Sequence, residues 1–238
     1  MNKKLIKRNV ILGILFFLPV LFLLFLYPAK HNYIALDILE DNVLDITSFS
    51  SLEKDTIQLK DHITILGFLG NKPIDKLIAM SNLKELMYDK FKGFKKFQIV
   101  MVVPQSATSQ VEQLKKELSK YEYLEYWKYV FASEQEIKKV YNSLHLIKDL
   151  DANLATNDVV IIDKELHLRG RIDDRTDNEK AKNKPAYQLK SYNCIEVAEL
   201  KNKMSEDVRI LFTEYRQKRK GNFNSETRRA NDLKNLTE

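Results

Sequence analysis

Residues 10–27 (VILGILFFLPVLFLLFLY) form an apolar run with no charged side chain, and Lys3, Lys4, Lys7 and Arg8 stand directly before it. A hydrocarbon core ~30 Å thick needs about 20 apolar residues at ~1.5 Å per residue, so a helix over 9–28 is long enough to span it. The four cations predict a cytoplasmic N-terminus, and the acidic stretch that follows (Asp37, Glu40, Asp41, Asp45) predicts an exported remainder. The expected location is the inner (cytoplasmic) membrane, crossed once, with the main domain periplasmic. A cleaved secretory signal fits less well. The run exceeds the roughly 7–15 residues of such a segment, and YPAKH offers no small-x-small cleavage site. No cysteine near the end of the run could carry a lipid.

The rest of the 238 residues has room for one domain with its own core. The net charge of +6 would suit a nucleic-acid binder. Four of the positive charges precede the anchor and others crowd 216–220, so the excess reads as topogenic and solvating, with no nucleic-acid partner. A single cysteine, Cys194, cannot form an internal disulfide. Stability must come from packing.

The expected organisation is a cytoplasmic N-terminus over 1–8, the anchor over 9–28, a spacer over 29–51 that lifts the domain off the bilayer, a domain over 52–218 and a charged, disordered tail over 219–238. Residues 63–69 (ITILGFL) read as a strand ending at Gly70-Asn71-Lys72-Pro73. A helix follows with Ile74, Leu77, Ile78, Leu83, Leu86, Met87, Phe91 and Phe94 on its apolar face and Pro73 in its first turn. Residues 97–103 (FQIVMVV) are continuously apolar, the pattern of a strand buried on both faces in a parallel sheet. Val111, Leu114, Leu118 and Tyr121 mark the next helix. A short strand over 127–131 and the capping box Ser133-Glu134-Gln135-Glu136 lead into a helix carrying Ile137, Val140, Tyr141 and Leu144. Strands over 159–162 and 166–172, joined by Asp163-Lys164-Glu165, read as a hairpin. A charged loop over 173–190 precedes a last helix with Leu200, Met204, Val208, Leu211, Phe212 and Tyr215.

This element order, with Gly67-Phe68 closing the first core strand, Trp127 to Ile137 resembling WxFLTGxxEEI and IIDKELHLRGRID over 161–173 resembling LIDxxGxIRGxYD, is similar to that of membrane-anchored SCO-type proteins. The resemblance covers about 56–215 and departs from the pattern in lacking the usual glycine at Glu165. It implies an α/β fold, the thioredoxin-like central sheet flanked by helices in its peroxiredoxin/SCO variant. SCO-type proteins serve copper delivery or thiol chemistry in cytochrome oxidase assembly. Active members carry Cys-x-x-x-Cys after the first core strand, where a helix N-terminus favours the thiolate that attacks a disulfide or holds copper(I).

Here that loop reads GNKPIDK, and the resemblance sets Asn71 and Asp75 at the two cysteine positions. Neither side chain is a soft ligand or a redox nucleophile. The family's histidine ligand has no counterpart among Ala155, Thr156, Asn157 and Asp158. The degenerate loop positions Asn71, Lys72, Pro73 and Asp75 read as a plain helix start, with Asn71 as cap and Asp75 at the positive end of the dipole. Cys194, three residues before Val197 and six before Leu200, reads as a buried member of a helical apolar face, with a free reactive thiol as the alternative. His145 and His167 lack partners at ligand spacing and read as solvent-side residues. The expectation is a membrane-anchored protein with no catalytic residue, no cofactor and no metal. It would act by binding an envelope protein, in the vicinity of respiratory-complex assembly. The competing expectation is a thiol-disulfide oxidoreductase or copper-delivery factor acting through a non-standard site.

Overall fold

The computed structural model describes residues 3–26, 35–53 and 55–221. The chain divides into two units, Met1–Ile34 and Ala35–Glu238. The first contains helix α1 (Lys3–Leu26). Its segment Lys7–Phe25 is, among the described residues, the one helix long and apolar enough to cross a membrane, and its apolar side chains all face outward.

The second unit begins with strands β1 (Asp37–Glu40) and β2 (Ser50–Ser51). Strand β3 (Ile63–Leu69) leads through a 3-10 turn (Pro73–Lys76) into α2 (Leu77–Leu83), a π turn (Lys84–Tyr88) and α3 (Asp89–Phe91). Then come β4 (Phe97–Pro104), α4 (Thr108–Leu118), β5 (Trp127–Ala132), α5 (Glu134–Asn142), β6 (Ala155–Ile162) and β7 (Leu168–Gly170). The chain continues through α6 (Asp177–Ala181), β8 (Tyr192–Asn193), α7 (Val197–Glu199), a π turn (Leu200–Met204) and α8 (Ser205–Arg219). The strands form one mixed sheet in the order β1-β7-β6-β3-β4-β5-β2, with β8 also paired to β6. β3, β4 and β5 run parallel, and β6 lies antiparallel on the other side of β3.

The period of two in the central strands sorts their side chains into two cores. Ile63, Ile65, Leu69, Phe97, Ile99, Met101 and Trp127 face the layer that holds α2, α4 and α8. Leu66, Phe68, Val100, Val102 and Val130 face α5 and the segment carrying Val43, Ile46 and Phe49. Every residue of β3 and β4 is buried, as a strand covered by helices on both faces requires. The polar members of this buried pair satisfy each other: Gln98 Nε2 donates to Thr64 Oγ1 (2.9 Å) and to the Gln58 carbonyl (2.8 Å).

The structure corrects several sequence expectations. Residues 35–51 are no spacer: they supply two strands, and Leu36, Val43, Ile46 and Phe49 are buried. The helix after β3 is broken by its 3-10 and π turns, and Ile78 on it is 70% exposed. Tyr121 lies past the end of α4 and is 91% exposed. The loop over 173–190 contains α6, whose capping box joins Thr176 and Glu179. The remaining spacer residues 29–34 and tail residues 222–238 lie outside the described residues. In the hairpin, the left-handed backbone position is Leu166 (φ 65°), one residue beyond the Glu165 position marked as lacking glycine.

Arg169 on β7 knits the distant segments together. Its guanidinium donates to Asp163 (2.7 Å), to Glu214 on α8 (2.6 Å) and to the carbonyl of Leu36 (2.6 Å), and Arg169, Asp163 and Glu214 are all buried. Two carboxylates around one cation hold it charged in the interior against the cost of burial. Arg169→Ala leaves Asp163 and Glu214 buried without their cation, and is expected to cost about 3–5 kcal/mol. Urea unfolding followed by circular dichroism checks this. A loss within about 0.5 kcal/mol, the ordinary range for surface changes, would show that the cluster is not what joins hairpin, first strand and last helix.

Candidate functional site

The carboxyl ends of β3, β4 and β5 and the start of β6 meet at one end of the sheet, where open α/β sheets place their ligands. The loop over 70–76 occupies this end. Gly70 makes the turn out of β3 with φ +67°, and a Cβ there would stand 2.2 Å from the Asn153 carbonyl oxygen, so glycine is required. The next amide, Asn71 N–H, donates to that same carbonyl (2.9 Å). The loop is thereby pinned to the segment before β6.

Asn71 does not cap a helix. Its Oδ1 accepts from Ser106 Oγ (3.0 Å), tying the loop to the end of β4. Lys72 holds the cap position of the 3-10 turn without a side-chain hydrogen bond, and the buried Pro73 follows as its first residue. Asp75 is exposed on that turn, its N–H donating to the Lys72 carbonyl (3.1 Å). α-Helical geometry begins only at Leu77. The plain α-helix start expected from the sequence is thus a four-residue turn, and no thiol, thioether or imidazole belongs to it.

Lys76 reaches across the site, its Nζ donating to Asn157 Oδ1 (2.9 Å). The Asn157 carbonyl accepts from the backbone of Cys194 (2.9 Å), and the Cys194 carbonyl accepts from Asn82 Nδ2 on α2 (3.0 Å). Cys194 follows β8 and precedes α7, so it is not on a helix, and Val197 is exposed. The thiol is nevertheless fully buried within the core under α2. Burial pushes its pKa far up, with the carboxylates of Asp158 and Glu199 adding to the effect. Such a thiol supplies almost no thiolate.

The hairpin brings together what the sequence left apart. Asp163, Glu165 and His167 offer ligand atoms within 4.8 Å of one another, a three-residue group missed in the D-x-E-x-H spacing. Asp163 is already committed: Oδ1 accepts the N–H groups of Glu165 (2.9 Å) and His167 (3.0 Å), and Oδ2 accepts from Arg169. A guanidinium beside the carboxylate opposes a cation there, and the group explains itself as a hairpin turn. His145 is exposed, with Glu40 3.2 Å from its Nδ1.

Beside Asp158 lies an open cleft of about 280 Å³, lined by Ile147, Lys148, Asp158, Lys190, Asn193 and Glu199 among others. Its cations are taken: Lys148 pairs with Asp158 (2.8 Å) and Lys190 with Glu40 (2.7 Å). Small, open and internally neutralised, it lacks the enclosed apolar wall of a small-molecule pocket. Sequence reasoning missed Ser106, Asn153 and Asn157, which position the loop. Polar residues in the breaks beside strand ends were the available signal.

No family model matches the sequence, and no curated protein matches it. Solved structures do share its fold. BsSco, a member of the Sco family of cytochrome c oxidase assembly proteins described for its disulfide switch, aligns over 74% of this chain and 96% of its own, with TM-score 0.50 and 16% identity. A putative protein disulfide isomerase from Bacteroides thetaiotaomicron aligns over 79% of this chain and 99% of its own, with TM-score 0.50 and 11% identity. The chain therefore shares the thioredoxin-like fold of these proteins, and it carries a single cysteine, Cys194.

Cys194 in the folded protein is expected to react with a disulfide reagent at mildly alkaline pH roughly a hundredfold or more slowly than in the unfolded chain. Absorbance stopped-flow with and without denaturant measures the ratio. Equal rates would return Cys194 to the surface and reopen a one-thiol mechanism.

Proposed function

We propose that this chain is a membrane-anchored, thioredoxin-fold envelope protein that works by binding another protein through the face built around Asn71, Lys72, Pro73 and Asp75. The observation that carries the reading is the loop itself. The site-forming end is held by Asn153, Ser106 and Asn157, and by the resemblance Asn71 and Asp75 stand where SCO-type proteins carry their thiols. The one cysteine is buried and its thiol proton is held tightly. A rigid, polar loop with exposed backbone and side-chain groups recognises a surface; it does not exchange electrons.

The exposed aliphatic side chains near it support the same reading. Ile78 projects from α2, and Ile195 and Val197 flank the Cys194 segment that Asn82 and Asn157 tie to the loop. Exposed apolar side chains bordered by fixed polar groups are the combination a protein interface uses, with apolar contacts at its centre and polar groups around them. In this proposal the anchor is α1, its N-terminus is cytoplasmic, the domain is periplasmic, and the partner is a component or assembly factor of a respiratory complex.

Cross-linking of the full chain in its native membrane, followed by identification of the captured protein, tests the proposal. The wild-type chain is expected to capture one respiratory-complex subunit or assembly factor. The double variant Asn71→Ala, Asp75→Ala is expected to lose that product at least tenfold, with a stability cost of about 1 kcal/mol from the lost Ser106 hydrogen bond. A product insensitive to the loop would sink the docking role, and an unrelated partner would sink the respiratory placement.

A further inference from the structure

The two ends of the sheet carry opposite charge. At the loop end stand Glu134, Glu136, Asp149, Asp151, Glu196 and Glu199, against Lys72, Lys76 and the paired Lys148. The opposite end holds the amino ends of β3, β4 and β5, and with them the connections 92–96 and 119–126. The first connection has Lys92, Lys95 and Lys96 and no acid. The second has Lys120 against Glu122 and Glu125. The last turn of α8 also arrives there, since Phe212 stacks on Phe94 (4.3 Å) and Lys164 lies over the Tyr215 ring (4.9 Å), and it adds the exposed Arg216, Arg219 and Lys220.

Two of the carboxylates at this end are engaged, while Glu125 and Asp61 stand exposed among the lysines. Glu122 lies 2.5 Å from Lys92, and Glu165 accepts from the Tyr215 hydroxyl. Lys95, Lys96 and Lys120 remain exposed, and no ion pair engages them among the described residues. Three aromatic side chains stand out among these lysines: Tyr121 is 91% exposed, Tyr123 66% and Phe94 46%. Tyr121 follows the end of α4 and covers no core. Lysines interleaved with protruding tyrosines form a surface suited to anionic headgroups, the cations meeting phosphate and the amphipathic rings the headgroup boundary.

We infer that the basic end of the domain, centred on Lys95, Lys96, Lys120, Tyr121 and Tyr123, docks on an anionic phospholipid surface. Charge complementarity selects the occupant. The tether supplies proximity: eight residues separate Leu26 from Ala35, at most about 30 Å of extended chain, so a bilayer crossed by α1 stays within reach and even weak attraction is effective. The inference rests on the anchor reading of α1. It adds that the loop end of the sheet points away from the lipid, toward a partner.

The test reconstitutes the full chain in vesicles of phosphatidylcholine alone or with phosphatidylglycerol, carrying a spin label at Tyr121→Cys or, as control, at Ile78→Cys. Cys194 is buried and takes no label. Collisional relaxation by a water-soluble nickel complex should fall several-fold at position 121 in the anionic vesicles only. It should recover in about 1 M salt, where the Debye length is ~3 Å, and in Lys95→Glu, Lys96→Glu, Lys120→Glu. Position 78 should stay accessible throughout. Co-flotation with the zwitterionic vesicles reads the anchor separately, so failure of the anchor and failure of the surface are distinguishable. A label at 121 that stays in water in both vesicle types overturns the inference, as does capture of RNA or an acidic peptide by these lysines with no response to lipid.

Discussion

The buried cation of Arg169 joins parts of the chain that the sequence separates widely. It binds the turn of the hairpin through Asp163, the last helix through Glu214, and the entry to the first strand through the Leu36 carbonyl. A charge at this depth is tolerable only with both carboxylates in place, so the three segments must assemble around it together. A second cluster repeats the device nearby: Arg171 holds Asp207 on α8 through Nε and Nη2, and Tyr192 donates its hydroxyl to the same carboxylate (2.7 Å). β7, with its neighbours β1 and β6, is thus fixed to the C-terminal helix by charge.

The loop at the carboxyl end of the sheet takes no part in either cluster. Gly70 turns the chain out of β3, and the segment before β6 receives the loop through Asn153. Hydrogen bonds from Ser106 Oγ and Lys76 Nζ fix it on either side. Preorganised polar groups of this kind favour recognition, because little conformational freedom is lost when a partner docks.

Much of the fold was legible because its signals are periodic. The unbroken apolar runs of β3 and β4 and the steps of three and four in α4, α5 and α8 report burial directly. The capping box at Ser133 fixed one boundary to the residue. What failed was local and had tertiary causes. Residues 35–51 look like a linker because their pairing partners, 168–170 and 130–131, lie far along the chain. Cys194 matched a helical spacing but lies in a short strand exit, since two-residue β8 is too brief to show a period. The site was half legible: the absence of thiols is written in GNKPIDK, whereas the cross-links to Ser106, Asn153 and Asn157 depend on which loops the topology brings together.

The proposed reading is of a thioredoxin-fold domain whose loop end binds a protein and does neither thiol nor copper chemistry. Competition for copper(I) between the full chain and a chromophoric chelator tests this most directly. The account predicts that the chelator keeps its metal at every protein concentration, with no difference between wild type and Cys194→Ser. Stoichiometric withdrawal of one copper(I) per chain, lost in Cys194→Ser or in a variant of the loop over 71–75, would contradict it.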